Sequence, residues 1–153
     1  MLETPHVALG IAIAVKTGNP WVALPLSLAS HFLLDRVPHW NPHFYTETQK
    51  FGKPKKISTY IAIADEVVAI ALTLFMAYKF MPDINKSLLI LTCSLLSVLP
   101  DQIKVPYFFC NRRLGIIKKW VDFERGIQVE VKPLWGILTQ ILVVISSLLW
   151  TFS

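Results

Sequence analysis

The sequence predicts an all-α integral membrane domain, a bundle of about five helices, on three observations. Of its 153 residues 54% are hydrophobic and only 16% charged, with a mean hydropathy of +0.51, a balance too apolar for a water-soluble domain of this length. Five apolar segments follow one another, separated by turn-forming or basic stretches. The basic residues are also one-sided. Of 15 Lys and Arg, Lys16, Lys79 and Lys86 fall at turns on one side of the segments, and the other 12, from Arg36 to Lys56 and from Lys104 to Lys132, fall on the opposite side.

The first segment runs from about Thr4 to Val15 and the second from Trp21 to Asp35; "KTGNP" joins them through Gly18, Asn19 and Pro20, so 4–35 reads as a helical hairpin. Its opening, "MLETPHVALGIAIAVKTG", lacks the basic start of a signal peptide and reads as a retained helix. The stretch 36–56, "RVPHWNPHFYTETQKFGKPKK", has no apolar period and is expected to be a loop. A third segment, from about Ile57 to Met81, turns at "PDIN" into a fourth from about Lys86 to Leu99, a second hairpin over 57–100. After a basic stretch over 101–132, Pro133 sits at a favoured first helical position and opens a fifth helix to Phe152. Only the third and fifth reach the roughly 20 residues that a bilayer requires. Five membrane helices are therefore expected, with fewer full spans among them. The whole chain reads as one membrane domain.

By the positive-inside rule the side holding 12 basic residues is cytoplasmic. The expected setting is a membrane of the bacterial inner (plasma) type, with the N-terminus cytoplasmic and the C-terminus outside. In "YFFCNRRLGIIKKWVDFER", Cys110, Leu114, Ile117 and Val121 interleave with Arg112, Arg113, Lys118 and Lys119, a spacing suited to a helix lying on anionic lipid headgroups. A plain solvated loop is the rival reading. Nucleic acid is not an expected partner, because the charges flank membrane segments. Cys93 and Cys110, with no CxxC, imply neither a disulfide framework nor a structural zinc site. Trp21, Trp40, Trp120, Trp135 and Trp150 fall near segment ends, as in an aromatic belt, and Gln140 is expected to hydrogen-bond a neighbouring helix.

The ionisable residues gather on one side of this topology. His6 opens the first helix, Asp35 ends the second, Asp65 lies about two turns into the third and Asp101 ends the fourth. "FLLDRVPHW" and "SVLPDQIKVPYF" each close a hairpin with an aspartate, then proline and an aromatic, which suggests parallel two-helix repeats with Asp35 matching Asp101. His31 and Asp35, four apart, share a helix face, and Pro38 breaks the helix so that His39 folds back toward them. Imidazole and carboxylate in that arrangement suit a divalent metal: zinc, manganese or iron. An acid as deep as Asp65 is costly unless paired or ligating; Arg36 is its candidate partner if the role is structural.

"TPHVALGIAIA", "SHFLLDRVPH" and "LPD" together resemble the small membrane-bound metal-dependent hydrolases, a family related in pattern to zinc-dependent phospholipase C and the P1-type nucleases. The resemblance covers roughly residues 4 to 105 and implies His6, His31, Asp35 and Asp101 as ligands, with His39 as a further candidate. The family's Pro-Asp-x-Asp-His run is reduced here to Pro100 and Asp101, its Arg-Gly-x-Thr-His-Ser segment has no counterpart, and its third-helix histidine is replaced by Asp65 and Glu66. The expected activity is metal-dependent hydrolysis of a phosphoester, lipid-derived by its location. Asp65, also a candidate ligand, or Glu66 would act as general base, and Arg112, Arg113, Lys118 and Lys119 would hold the phosphate. The competing class is a non-catalytic metal-binding scaffold or a small ion carrier using the same acids.

Overall fold

The computed structural model describes residues 1–110 and 115–153. Among them the chain forms eight helices: α1 (Glu3–Thr17), α2 (Pro20–Leu34), α3 (Phe44–Phe51), α4 (Lys56–Lys79), α5 (Ile84–Gln102), α6 (Val105–Phe109), α7 (Gly115–Ile127) and α8 (Pro133–Phe152). Three of these, α4, α5 and α8, are long and apolar enough to cross a membrane. At 15 residues each, α1 and α2 extend roughly 22 Å, short of a hydrocarbon core of about 30 Å.

The α1–α2 turn is set locally. Gly18 adopts the left-handed conformation (φ 59°) and closes α1, the Asn19 side chain accepts from Trp21 N–H, and Pro20 opens α2. α1 then becomes the centre of the molecule, packing against α2, α4, α5 and α8, and residues Val7, Ala8 and Gly10–Ala14 are buried. Between helices in lipid there is little hydrophobic drive, so close approach through small residues carries the packing. Gly10 supplies it: a Cβ there would stand 3.0 Å from the Cys93 carbonyl oxygen and 3.0 Å from Ser97 Oγ on α5. By contrast, α4 turns much of its length outward, exposing Ile63, Val67, Val68, Ile70, Leu74 and Phe75.

One surface stretch departs from its expected loop, and a second holds a helix where a surface helix was expected. Residues 36–56 contain α3, which is short and amphipathic with Glu47 and Thr48 buried; its apolar period is too brief to register in a longer window. Glu47 turns inward and accepts from the Lys55 N–H (2.7 Å) and the Ser58 hydroxyl (2.9 Å), tying α3 to the first turn of α4. The basic stretch 101–132 contains α6 and α7. α5 also outruns its expected end at Leu99: Pro100 lies inside the helix, which continues to Gln102 and makes Asp101 helical.

α7 is clamped along one face. Trp120 Nε1 donates to the Pro100 carbonyl (3.1 Å), Gln128 Nε2 donates to Asp35 Oδ2 (3.1 Å), and the chain beyond α7 pairs with the segment after α2 through His39 N–H to Val129 O (3.0 Å) and Val131 N–H to His39 O (2.9 Å). α8 closes the bundle over that segment. A Cβ on Gly136 would fall 2.3 Å from the Trp40 nitrogen, so only glycine admits this crossing. Gln140 does bind neighbours, accepting from Leu2 N–H (2.8 Å) and donating to the Trp40 carbonyl (2.9 Å).

Candidate metal centre

His31 and Asp35 sit one helical turn apart where α2 ends, with Asp35 as the helix cap. His31 Nδ1 lies 2.8 Å from the Ser97 carbonyl oxygen. A carbonyl only accepts, so Nδ1 carries the proton and Nε2 presents its lone pair. That lone pair meets only acceptors of negative charge: Asp35 Oδ2 at 3.5 Å, Glu124 Oε1 at 3.9 Å and Asp101 Oδ1 at 4.0 Å. The His6 ring stacks on His31 with centroids 4.2 Å apart, and its Nε2 stands 3.5 Å from Asp35 Oδ1. The Met1 amino group also contacts Asp35 Oδ1.

His6, His31, Asp35 and Glu124 are buried, yet His6 Nδ1 and Nε2, His31 Nε2 and Glu124 Oε1 have no hydrogen-bond partner among the described residues. Buried lone pairs converging in this way would stabilise a shared proton or a metal ion. Ligand atoms of His6, His31 and Asp101 lie within 4.8 Å of one another. A tetrahedral ion with ligands about 2.0–2.1 Å away has edges of about 3.3 Å. Small movements of side chains would thus bring these donors to bonding distance, and a mixed imidazole–carboxylate set fits zinc, manganese or iron.

Lys104 is the built-in counter-charge. Its ammonium contacts both Asp101 Oδ1 and Glu124 Oε2. Burial works against that charge, but Asp101 and Glu124 outweigh it and push the Lys104 pKa above the ordinary lysine value. Burial, opposed by Lys104, pushes Glu124 up to about 7. On the outer side of Lys104 is a cavity of about 480 Å³, whose polar wall includes Asp101, Lys104 and Glu66 and whose apolar wall includes Ile63, Phe108 and Phe109. The imidazoles lie behind the Asp101–Lys104 wall and do not line the cavity.

The other sequence-derived candidates fall in distinct places. Asp65 does not meet Arg36: it accepts from Glu3 N–H (2.5 Å), Thr4 N–H (3.3 Å) and the Thr4 hydroxyl (2.6 Å), so it caps α1 from the neighbouring helix and lines the cavity. Glu66 accepts from Gln102 Nε2 at 3.2 Å. His39 has both ring nitrogens engaged, Nδ1 with the Val37 carbonyl (2.8 Å) and Nε2 with Asn41 Nδ2 (3.1 Å). Lys118 pairs with Asp122 at 2.5 Å on the exposed surface, and Lys119 is exposed. On an ideal helix these lysines project about 120° and 140° away from Glu124, and neither lines the cavity. Arg112 and Arg113 lie outside the described residues.

Glu124 and Lys104 were not among the expected site residues. A signal for Glu124 existed: extending the apolar stripe Ile117, Val121 by three residues lands on a glutamate, an acid at a position that packing assigns to the core. Lys104 offered only its place three residues after Asp101. Comparison with known proteins finds no matching family model, no similar curated protein and no similar solved structure.

Proposed function

We propose that this chain is a membrane-embedded metal-dependent hydrolase acting on a phosphoester from the cytoplasmic interface. The observation that carries the reading is the His31 Nε2 lone pair, fixed by the Ser97 carbonyl and surrounded by three carboxylates and the stacked His6. His6, His31, Asp35 and Asp101 would hold the ion, with Glu124 beside them. A zinc or manganese ion there supplies a water of lowered pKa and polarises a phosphoryl oxygen. Lys104, between the cavity and the imidazoles, is the cation placed to meet a substrate phosphate, in preference to the outward-facing Lys118 and Lys119. Glu66 and Asp65, both on the cavity wall, remain the candidate bases; Glu66 has the freer carboxylate, since Asp65 already receives three hydrogen bonds from Glu3 and Thr4. The apolar wall of Ile63 and Phe108 favours a lipid-derived substrate.

A second reading has its own support. Lys104 already bridges Asp101 and Glu124, so the cluster compensates part of its own charge, as a scaffold or ion carrier would. Metal content of the purified protein, together with phosphate or headgroup release from mixed phospholipids in detergent, separates the two. The hydrolase should carry zinc or manganese, lose most of it in His31→Ala and Asp35→Asn, keep it in His43→Ala, and release product only when metal is present. Protein that carries no metal, gains none on addition and releases nothing overturns the reading. The cytoplasmic placement of this site rests on the distribution of basic residues; modification from outside intact cells of a cysteine placed at position 53 would reverse it.

A further inference from the structure

The turn between α3 and α4 carries a cluster of a different kind, and its role is independent of the metal reading. Lys50, Lys53, Lys55 and Lys56 lie within seven residues, all exposed, around Phe51, a residue 52% exposed. The Lys50 and Lys55 ammonium groups stand 5.4 Å and 5.3 Å from the centre of that ring. None of the four lysines forms an ion pair among the described residues. The acid within this stretch of sequence, Glu47, turns inward to the Lys55 N–H and the Ser58 hydroxyl and pairs with none of the four ammonium groups. Lys56 is also the first residue of a 24-residue helix long enough to cross a membrane, followed at once by exposed Ile57 and Tyr60.

We propose that the α3–α4 turn is a binding site for anionic phospholipid headgroups of the leaflet in which α4 begins. Phe51 enters the headgroup–acyl boundary as an apolar anchor, and Lys50 and Lys55 on either side of it bind lipid phosphates, with Lys53 and Lys56 adding to the local potential. Charge complementarity selects the ligand: four unpaired ammonium groups beside a membrane helix favour an anionic headgroup over a zwitterionic one. Continuity with the apolar start of α4 selects a lipid over a soluble anion, because the exposed ring needs an apolar medium that dissolved phosphate does not offer.

The test is native mass spectrometry of the full chain from micelles doped with equal phosphatidylglycerol and phosphatidylethanolamine, comparing retained lipids. Wild type should retain phosphatidylglycerol preferentially, and excess inorganic phosphate should not displace it. Each lysine at an anionic surface is worth on the order of a fivefold preference, so Lys50→Gln/Lys55→Gln should lower the selectivity roughly 25-fold, or abolish it where it starts smaller. Phe51→Ser should lower it as well. A thermal unfolding curve for each variant confirms that a folded protein is compared. Equal retention of the two lipids by wild type, full selectivity in the Lys50/Lys55 variant, or displacement by inorganic phosphate would each overturn the proposal.

Discussion

Replacing Lys104 by methionine distinguishes a metal centre from a self-sufficient ion-pair network, because the two respond oppositely to added metal. In the native chain the Lys104 ammonium is shared by Asp101 and Glu124, whose side chains are 12% and 1% exposed. Methionine keeps most of the aliphatic stem and removes the charge, leaving two neighbouring buried carboxylates with no ammonium between them. Breaking a buried pair by removing one partner costs about 3–5 kcal/mol, which for a chain of this size lowers the unfolding temperature by roughly 10 °C. With a chelator present, Lys104→Met should show that loss. A divalent ion held by His6, His31, Asp35 and Asp101 would replace the missing charge, returning about 2.7 kcal/mol at a free concentration 100-fold above its dissociation constant and about 4.1 at 1,000-fold. Thermal unfolding in detergent with EDTA, zinc or manganese, with metal content measured on the same samples, reads both effects. If Lys104→Met is destabilised and no ion is bound or restores it, the metal-centre reasoning fails. If the variant is as stable as wild type under chelation, the account of Lys104 as counter-charge fails.

Three further outcomes follow from the packing. His39 is buried and held at a pKa of about 4, below the usual 6.5, chiefly by burial. The unfolded chain therefore takes up the proton first, so the stability due to His39 is complete above about pH 6.5 and is lost as pH falls toward 4, by about 2–3 kcal/mol; unfolding followed across pH 7 to 4 should show a loss smaller by about that amount in His39→Gln than in wild type. Gly136→Ala places a methyl group 2.3 Å from the Trp40 nitrogen, so the unfolding temperature should drop by the equivalent of about 3 kcal/mol, and a variant as stable as wild type would mean α8 does not cross there. Asp65→Ala removes the cap on α1 and should cost about 1–2 kcal/mol while leaving metal content unchanged; loss of metal with unchanged stability would return Asp65 to the ligand set.

What was legible in the sequence and what was not divide along one physical line. The His31–Asp35 pair could be read because helical periodicity puts residues four apart on one face, and the side of the membrane shared by His6 and Asp101 followed from counting helix reversals. The long apolar helices α4 and α8 were legible by length and composition alone. Glu124 was hidden because it reaches the site from an amphipathic helix whose strongest local signal, Lys118 and Lys119 beside apolar residues, points to the surface. Only its docking, through Trp120 on Pro100 and Gln128 on Asp35, turns the other face inward. Asp65 was recognised as an acid needing a partner, but its partners proved to be the backbone N–H groups of Glu3 and Thr4 together with the Thr4 hydroxyl, which no pattern of charges announces.

The stacked His6 and His31 rings set the electrical demand of the centre. Two imidazoles 4.2 Å apart in a medium of low polarity repel strongly if both are protonated, so at most one takes a proton and near neutrality the pair contributes little charge. Around them stand three carboxyl groups, Asp35, Asp101 and Glu124, against two ammonium groups, Lys104 and the Met1 amino group, a deficit of one positive charge when every carboxyl is ionised. One proton shared by the cluster cancels it, and a divalent ion would cancel it with charge to spare. Uptake of metal would then be an exchange reaction: at mildly acidic pH the ion would displace protons into the solvent, and the affinity for it would rise as the medium becomes more alkaline.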